Sequence, residues 1–279
     1  LEAPGETGQV TAMQSDAAAT ETPEQLRVAL DQAQRQIADM AAAHEAFLRA
    51  VSHDLRAPLR HVTSYGALAR ELLQELSQEL PGQPPQLLEA MDFLATMEGS
   101  ARRMALMIDG LQAIARAGRA PLRLQSLDLA GAVQQARAAL GGAADGVQWQ
   151  IAGAMPPVQA DAELLTQLLT QLLANALKFS RGVAQPRIAL HAEVAPAGRV
   201  HVTLQDNGVG FDGTRAQQLF GVFQRLHREA DFDGVGAGLA LCQAIAQRHG
   251  ASISATAAPG AGCCIRLDWP GAAAPGCSG

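Results

Sequence analysis

Between Leu30 and Leu76, apolar or small residues return in alternating steps of three and four, the seam of a coiled coil. Upstream it reads Leu30, Ala33, Ile37, Met40, His44, Phe47 and Val51, with His44 its one polar member. Downstream it reads Leu55, Leu59, Val62, Gly66, Ala69, Leu73 and Leu76. The step from Val51 to Leu55 is a four after a four, a local break in the heptad. A period sustained this long specifies one extended helix. Thr22 is its expected cap, Pro23 suits its first position, and Pro81-Gly82-Gln83-Pro84-Pro85 stops it near Leu80.

Chemistry gathers at the break, in Val51-Ser-His-Asp-Leu-Arg-Ala-Pro-Leu-Arg-His-Val-Thr-Ser-Tyr65. At about 100° per residue, position 53 lies roughly 160° from both Val51 and Leu55, so His53 points away from the core. Arg49, Arg56 and Arg60 are expected on the same outer face. A neutral imidazole is nucleophilic near pH 7, and guanidiniums bind phosphate oxygens bidentately. Asp54 supplies a carboxylate beside the ring, and Pro58 should bend the helix just past it. The same residues also read as a solvated face with an incidental histidine.

A second helix follows, with Leu87, Met91, Leu94, Met97, Ala101, Met104, Ile108, Leu111 and Ala115 expected on one face. Two antiparallel helices form a hairpin, and two hairpins form a four-helix bundle. A homodimer through residues 25–117 is therefore expected. Beyond it the pattern changes. Helices are expected at Leu129–Leu140, from Asp161 as cap to Phe179, and at Gly238–His249. Strands are expected at Gln148–Ile151, Arg187–Val194, Arg199–Gln205, Ser252–Thr256 and Cys264–Trp269. Helices and strands that do not alternate strictly specify an α+β sandwich with helices on one face of a mixed sheet. The expected division is a disordered stretch or linker over 1–22, the helical domain over 23–117 and a linker over 118–127. The sandwich follows over 128–270 and a loose tail over 271–279.

The 279 residues carry a net charge of -6, which does not favour general nucleic-acid binding. No apolar run is long enough to span a membrane. The chain opens on Leu1 within a polar, Ala-rich segment, as a piece of a longer protein does, so an N-terminal sensor region is expected beyond it. Cys242, Cys263, Cys264 and Cys277 give neither a zinc spacing nor a disulfide framework, which fits a reducing, cytoplasmic setting.

Three segments of the sandwich carry polar residues in patterns that suit a nucleotide. In Gln167–Ser180, Asn175 and Lys178 share a helix face. An amide oxygen can join a magnesium shell with phosphates and water, and a lysine is a mobile charge for phosphate. An asparagine and a lysine near a helix end also read as a cap and a solvated side chain. In Leu204-Gln-Asp-Asn-Gly-Val-Gly-Phe-Asp212, Asp206 could accept from an exocyclic amine, and Gly208 and Gly210 could let the backbone approach a flat ring. The plain alternative is an Asn-Gly turn. In Asp233-Gly-Val-Gly-Ala-Gly-Leu239, glycines 234, 236 and 238 run into a helix start, whose free amides bind phosphate. Between them, Phe220 and Phe223 could anchor a mobile lid or simply pack, and Arg225 could reach a terminal phosphate or lie on the surface.

With these residues in view, residues 25–270 resemble the catalytic core of a bacterial sensor histidine kinase, and are most similar to the phytochrome-linked and related cytosolic kinases. Ser52-His-Asp-Leu and Phe220-Gly-Val-Phe-Gln-Arg-Leu-His227 carry that likeness. The resemblance implies a dimerisation and histidine-phosphotransfer hairpin followed by an ATP-binding domain of the gyrase type. It implies autophosphorylation of His53 from ATP with Mg2+, then transfer to an aspartate of a response regulator receiver domain docked near Arg56 to Leu73. His53 matches the phosphoacceptor and Asp54 its acidic neighbour. Asn175 matches the metal ligand, with Gln171 four residues before it where another asparagine is common. Lys178, Phe179, Asp206, Gly208, Gly210, Arg225, Gly234, Gly236, Gly238 and Leu239 match nucleotide contacts. Ala57 stands where many members have Thr or Asn to position water, which implies weak phosphatase activity. Cys263, Cys264 and Ile265 stand where a Gly-x-Gly-Thr-x-Phe ending is usual. Two rival functions are a nucleotide-binding dimeric scaffold without kinase activity and a gyrase-like ATPase driven by clamp closure.

Overall fold

The structure, a computed structural model, describes residues 23–79, 82, 84–119, 121–228 and 231–272. The expected disordered start over 1–22, the cap Thr22, most of the tail after 270 and Pro81 and Gln83 of the interhelical turn lie outside the described residues.

Helix α1 runs over Pro23–Glu79 and continues through Pro58; α2 runs over Pro85–Ala117, with a proline at its first position. By packing, the chain divides at Phe47, so the start of α1 forms one unit and Leu48–Gly279 the other. In the first unit Leu30, Met40 and Phe47 of the expected seam are exposed. No helix among the described residues is long and apolar enough to cross a membrane.

In the second unit, α2 buries Ala101 and Ile108 of the face its apolar spacing predicts and adds a glutamate to them. Glu98, Ala101 and Ile108 are buried, while Met97 and Met104 are 43% and 47% exposed. Glu98 belongs to a polar cluster. Glu98 Oε2 lies 3.2 Å from Arg70 Nη1 and 3.6 Å from Arg102 Nη1. Gly66 makes the room, since a Cβ there would stand 3.1 Å from Glu98 Cγ. The two guanidiniums offset the charge of the buried carboxylate, while neither of its oxygens accepts a hydrogen bond.

The sandwich is built around strands β2 (Gln148–Gly153), β4 (Arg187–Ala195), β5 (Arg199–Asp206), β6 (Ser252–Ala257) and β7 (Cys263–Pro270). Their order in the sheet is β2-β4-β5-β7-β6. Among the described strands of this sheet the β2–β4 pair alone is parallel, and the connection between them contains a helix, the crossover a parallel pair requires. A separate two-stranded ladder pairs β1 (Gln125–Leu127) with β3 (Val158–Ala160). These two were not expected, because three residues are too short to display a period.

Strict alternation buries Ile188, Leu190 and Ala192 of β4, Val200, Val202 and Leu204 of β5, and Ile265, Leu267 and Trp269 of β7. Helices α3 (Leu129–Ala138), α4 (Ala162–Ser180) and α5 (Gly238–Arg248) supply the other half of that core. Asp161 caps α4, as expected, by accepting from the amides of Glu163 and Leu164. The last turns of α2 join the same core through Ala113, Ile114 and Ala117, and Arg248 Nη1 donates to Gly118 O at 2.9 Å.

Candidate functional site

Asn175, Lys178 and Phe179 stand on the last turns of α4, Asp206 ends β5, and Gly238 opens α5. Chain order separates them widely; the sheet brings them to one cavity of about 410 Å³. That size suits a small organic ligand. Of the residues expected there, Gln171, Asn175, Lys178, Phe179, Asp206, Gly210, Arg225, Gly234, Gly236, Gly238 and Leu239 line it, and Gly208 does not.

Asp206 is 8% exposed, and burial pushes its carboxyl above the usual range against two amides that favour the anion. Those amides, of Gly208 and Cys263, both donate to Oδ1, at 2.9 and 3.2 Å. Lys178 Nζ lies 4.4 Å from the centre of the Phe179 ring and donates to Asp233 O at 3.1 Å. Burial, followed by the neighbouring Arg225, lowers its pKa. Arg225 Nη2 donates to Phe232 O at 2.5 Å. The two cations thus hold the main chain just ahead of Gly234.

At the cavity's other end, α5 begins after Ala237 with no side-chain cap. A Cβ on Gly238 would stand 2.7 Å from Gln171 Oε1 and 3.9 Å from Asn175 Nδ2. Glycine here lets the start of α5 approach both amides. The glycines of the Asp206 turn serve the chain itself. A Cβ on Gly208 would meet Phe179 O at 2.4 Å, and one on Gly210 would meet Ala258 O at 2.0 Å. Their missing side chains make room for neighbouring backbone, and Gly210 also lines the cavity.

Several lining residues escaped the sequence reading. Cys263 sits beside Asp206, and burial pushes its thiol up to about 12. His227 packs against both Phe179 and Phe232, with ring centres 5.2 Å from each. Burial lowers its pKa below the usual histidine value. Leu106 comes from α2. Adjacency to Phe220 and Arg225 could have flagged His227; nothing local marks the other two.

The donor set suits a nucleotide. It offers one buried carboxylate for a base, two cations, and an uncapped helix start for phosphates. It suits magnesium in a narrower sense. Among the described residues no cluster of three His, Cys, Asp or Glu side chains could hold a metal. The amides of Asn175 and Gln171 fit an ion whose other ligands are phosphates and water.

His53 lies elsewhere, on α1, with 87% of its side chain exposed, as the seam predicts. Its Nδ1 is 3.2 Å from Asp54 Oδ1. Ser52, one residue earlier, is buried. Arg56 does not share the outer face as expected. It reaches α2, donating to Asp109 Oδ1 at 2.6 Å and to Gln112 Oε1 at 2.7 Å.

Residues 160–273 match the family described as histidine kinase-, DNA gyrase B-, and HSP90-like ATPase. Over 218 residues the chain is 31% identical to phytochrome-like protein Cph1 of Synechocystis sp., covering 77% of this chain and 28% of that protein. Over 257 residues it is 29% identical to sensor protein KdpD of Escherichia coli, covering 92% and 27% respectively. The chain therefore spans little more than a quarter of these curated relatives. A crystal structure of full-length ShkA in complex with AMPPNP shares the fold, with a TM-score of 0.56 at 23% identity over 82% of this chain and 46% of that one.

Proposed function

Because the chain has the catalytic core of a sensor histidine kinase, with an ATPase domain of the histidine kinase, gyrase B and HSP90 type, we propose that it phosphorylates His53 from ATP and passes the phosphoryl group to an aspartate of a receiver domain. The observation that carries this reading is the cavity that joins Asn175, Lys178, Asp206 and the start of α5, in a chain that also holds an exposed imidazole against a carboxylate.

Asp206 directs its remaining oxygen at the exocyclic amine of adenine, while Oδ1 stays engaged by the amides of Gly208 and Cys263. Lys178 and Arg225 exchange their carbonyl partners for phosphate oxygens, a charge-assisted and stronger pairing. The amides at the start of α5 receive the phosphate chain. Asn175, with Gln171 beside it, offers the amide oxygen for Mg2+. When bound, the ion neutralises charge on the phosphates and fixes their geometry.

At the acceptor, Asp54 takes the Nδ1 proton as a hydrogen bond, which leaves the lone pair on Nε2. Nε2 forms the bond to the γ-phosphorus as the bond to the departing ADP oxygen breaks. Asp54 then stabilises or accepts the Nδ1 proton of the charged ring. Positioning supplies most of the rate. The ring and the cavity must therefore meet, within one chain or between the two chains of a homodimer. Dimerisation is supported by Val51, Leu55, Val62, Leu72 and Leu76, all more than a third exposed along α1. The receiver docks on the same bundle, near Arg56 to Leu73, and Ala57 beside it offers no hydrogen-bonding group to activate water for dephosphorylation.

Incubation with γ-labelled ATP and magnesium tests the assignment. Wild-type protein should carry an acid-labile, alkali-stable label that His53→Ala and Asn175→Ala abolish. Label of full intensity on His53→Ala would refute the acceptor.

A further inference from the structure

Helix α2 carries two glycines in its interior, Gly99 and Gly110. A helix interior loses about 1 kcal/mol to glycine relative to alanine, so each position invites a reason. A Cβ at Gly99 would meet nothing within 4 Å, whereas one at Gly110 would lie 2.5 Å from the Cβ of Ala237. Two carbons do not pack that closely. Ala237 is the residue that leads into α5, is buried, and lines the cavity. One turn before Gly110, on the same helix face, Leu106 lines that cavity too, yet 54% of it is exposed. Further along, Ile114 and Ala117 enter the sandwich core, and Arg248 at the far end of α5 donates to Gly118 O. The last turns of α2 therefore lie along α5 from its first residue to its last.

We infer that α2 completes the nucleotide site. Gly110 seats the helix on Ala237, and Leu106 forms a wall that a bound nucleotide covers. The inference rests on the nucleotide reading of the cavity. An occupant of the cavity removes Leu106 from water, so nucleotide binding and α2 docking favour each other by the same factor. Any displacement of α2 is then read at the site as a loss of nucleotide affinity. No lid movement is needed for this coupling, because the contact is made at the root of α5.

Calorimetric titration of the full chain with a non-hydrolysable ATP analogue and magnesium tests it. Four proteins are compared: wild type, Gly99→Ala, Gly110→Val and Leu106→Ala. Gly99→Ala should bind like wild type, which controls for helix propensity. Gly110→Val and Leu106→Ala should each raise Kd about fivefold to tenfold. Combined, they should be no weaker than Gly110→Val alone, since that change already removes Leu106 from the site. Amide exchange in residues 104–114 should slow on nucleotide binding in wild type and less so in Gly110→Val. If Gly110→Val does not fold, the exposed position Leu106→Ala decides. Wild-type affinity in folded Leu106→Ala and Gly110→Val overturns the inference alone. A wild-type chain that binds no analogue overturns the nucleotide reading together with it.

Discussion

The hairpin and the sandwich solve the problem of burial in opposite ways. In the sandwich the large apolar side chains are enclosed: Leu165, Leu168, Leu173, Ile188, Ile245 and Trp269 all lie at or below 2% exposure. Along the hairpin, Leu55, Leu72, Leu76, Leu88, Phe93, Met97 and Met104 stay more than 40% exposed, while a glutamate occupies the interior. A single copy thus completes the core of one region and leaves that of the other unfinished. The cavity is enclosed within one chain, whereas α1 presents an exposed apolar surface, on which the proposed dimer rests.

The comparison breaks first at the sandwich. Trp269 packs on His249 with ring centres 4.9 Å apart and donates to Gln159 O at 3.1 Å. Trp269→Ala should cost about 3–5 kcal/mol of stability in denaturant unfolding. A loss under 1 kcal/mol would mean that this core is not what holds the domain. The hairpin should respond differently. Leu55→Glu with Leu72→Glu should weaken self-association roughly a hundredfold in sedimentation, yet leave nucleotide affinity unchanged. An unaltered dimer would place the interface elsewhere.

A smaller effect separates shape from charge at the site. Asp206→Asn should weaken ATP binding about tenfold with little change in fold, read by calorimetry. Burial raises the Asp206 pKa, so its contribution to stability is present below the ordinary carboxyl value and is lost as pH rises through the raised one. Nucleotide affinity, which needs the carboxylate as acceptor, should move the opposite way and fall on acidification. The smallest change is at a helix cap. Asp161→Ala should cost about 1 kcal/mol. Burial works against the Asp161 anion, but the amides of Arg123, Leu164 and Glu163 outweigh it and hold its pKa below the usual value. That contribution is therefore present above about pH 3.8 and is lost as pH falls through the lowered pKa. Equal stability of the variant and wild type near neutral pH would show that the cap is dispensable.

How far the sequence could be read depended on whether a residue's role was local. The period of α1, the Asp161 cap and the alternation of β4, β5 and β7 lie within one element, and each was legible. The exposure of His53 followed from its angle to the seam. The burial of Glu98 did not, because it enters the interior only where Gly66, Arg70 and Arg102 from two helices meet it. At 208 and 210 the need for glycine is set by Phe179 O and Ala258 O, distant in sequence, and of the two only Gly210 lines the cavity. Leu106 and Cys263 join the cavity through packing between elements, which no spacing along the chain records.

The most direct measurement is peptide mapping of the wild-type chain after incubation with ATP and magnesium. One phosphoryl group is expected, on the peptide containing His53, lost in acid and retained in alkali. Bound nucleotide with no phosphopeptide, or a phosphoryl group on any other residue, would contradict it.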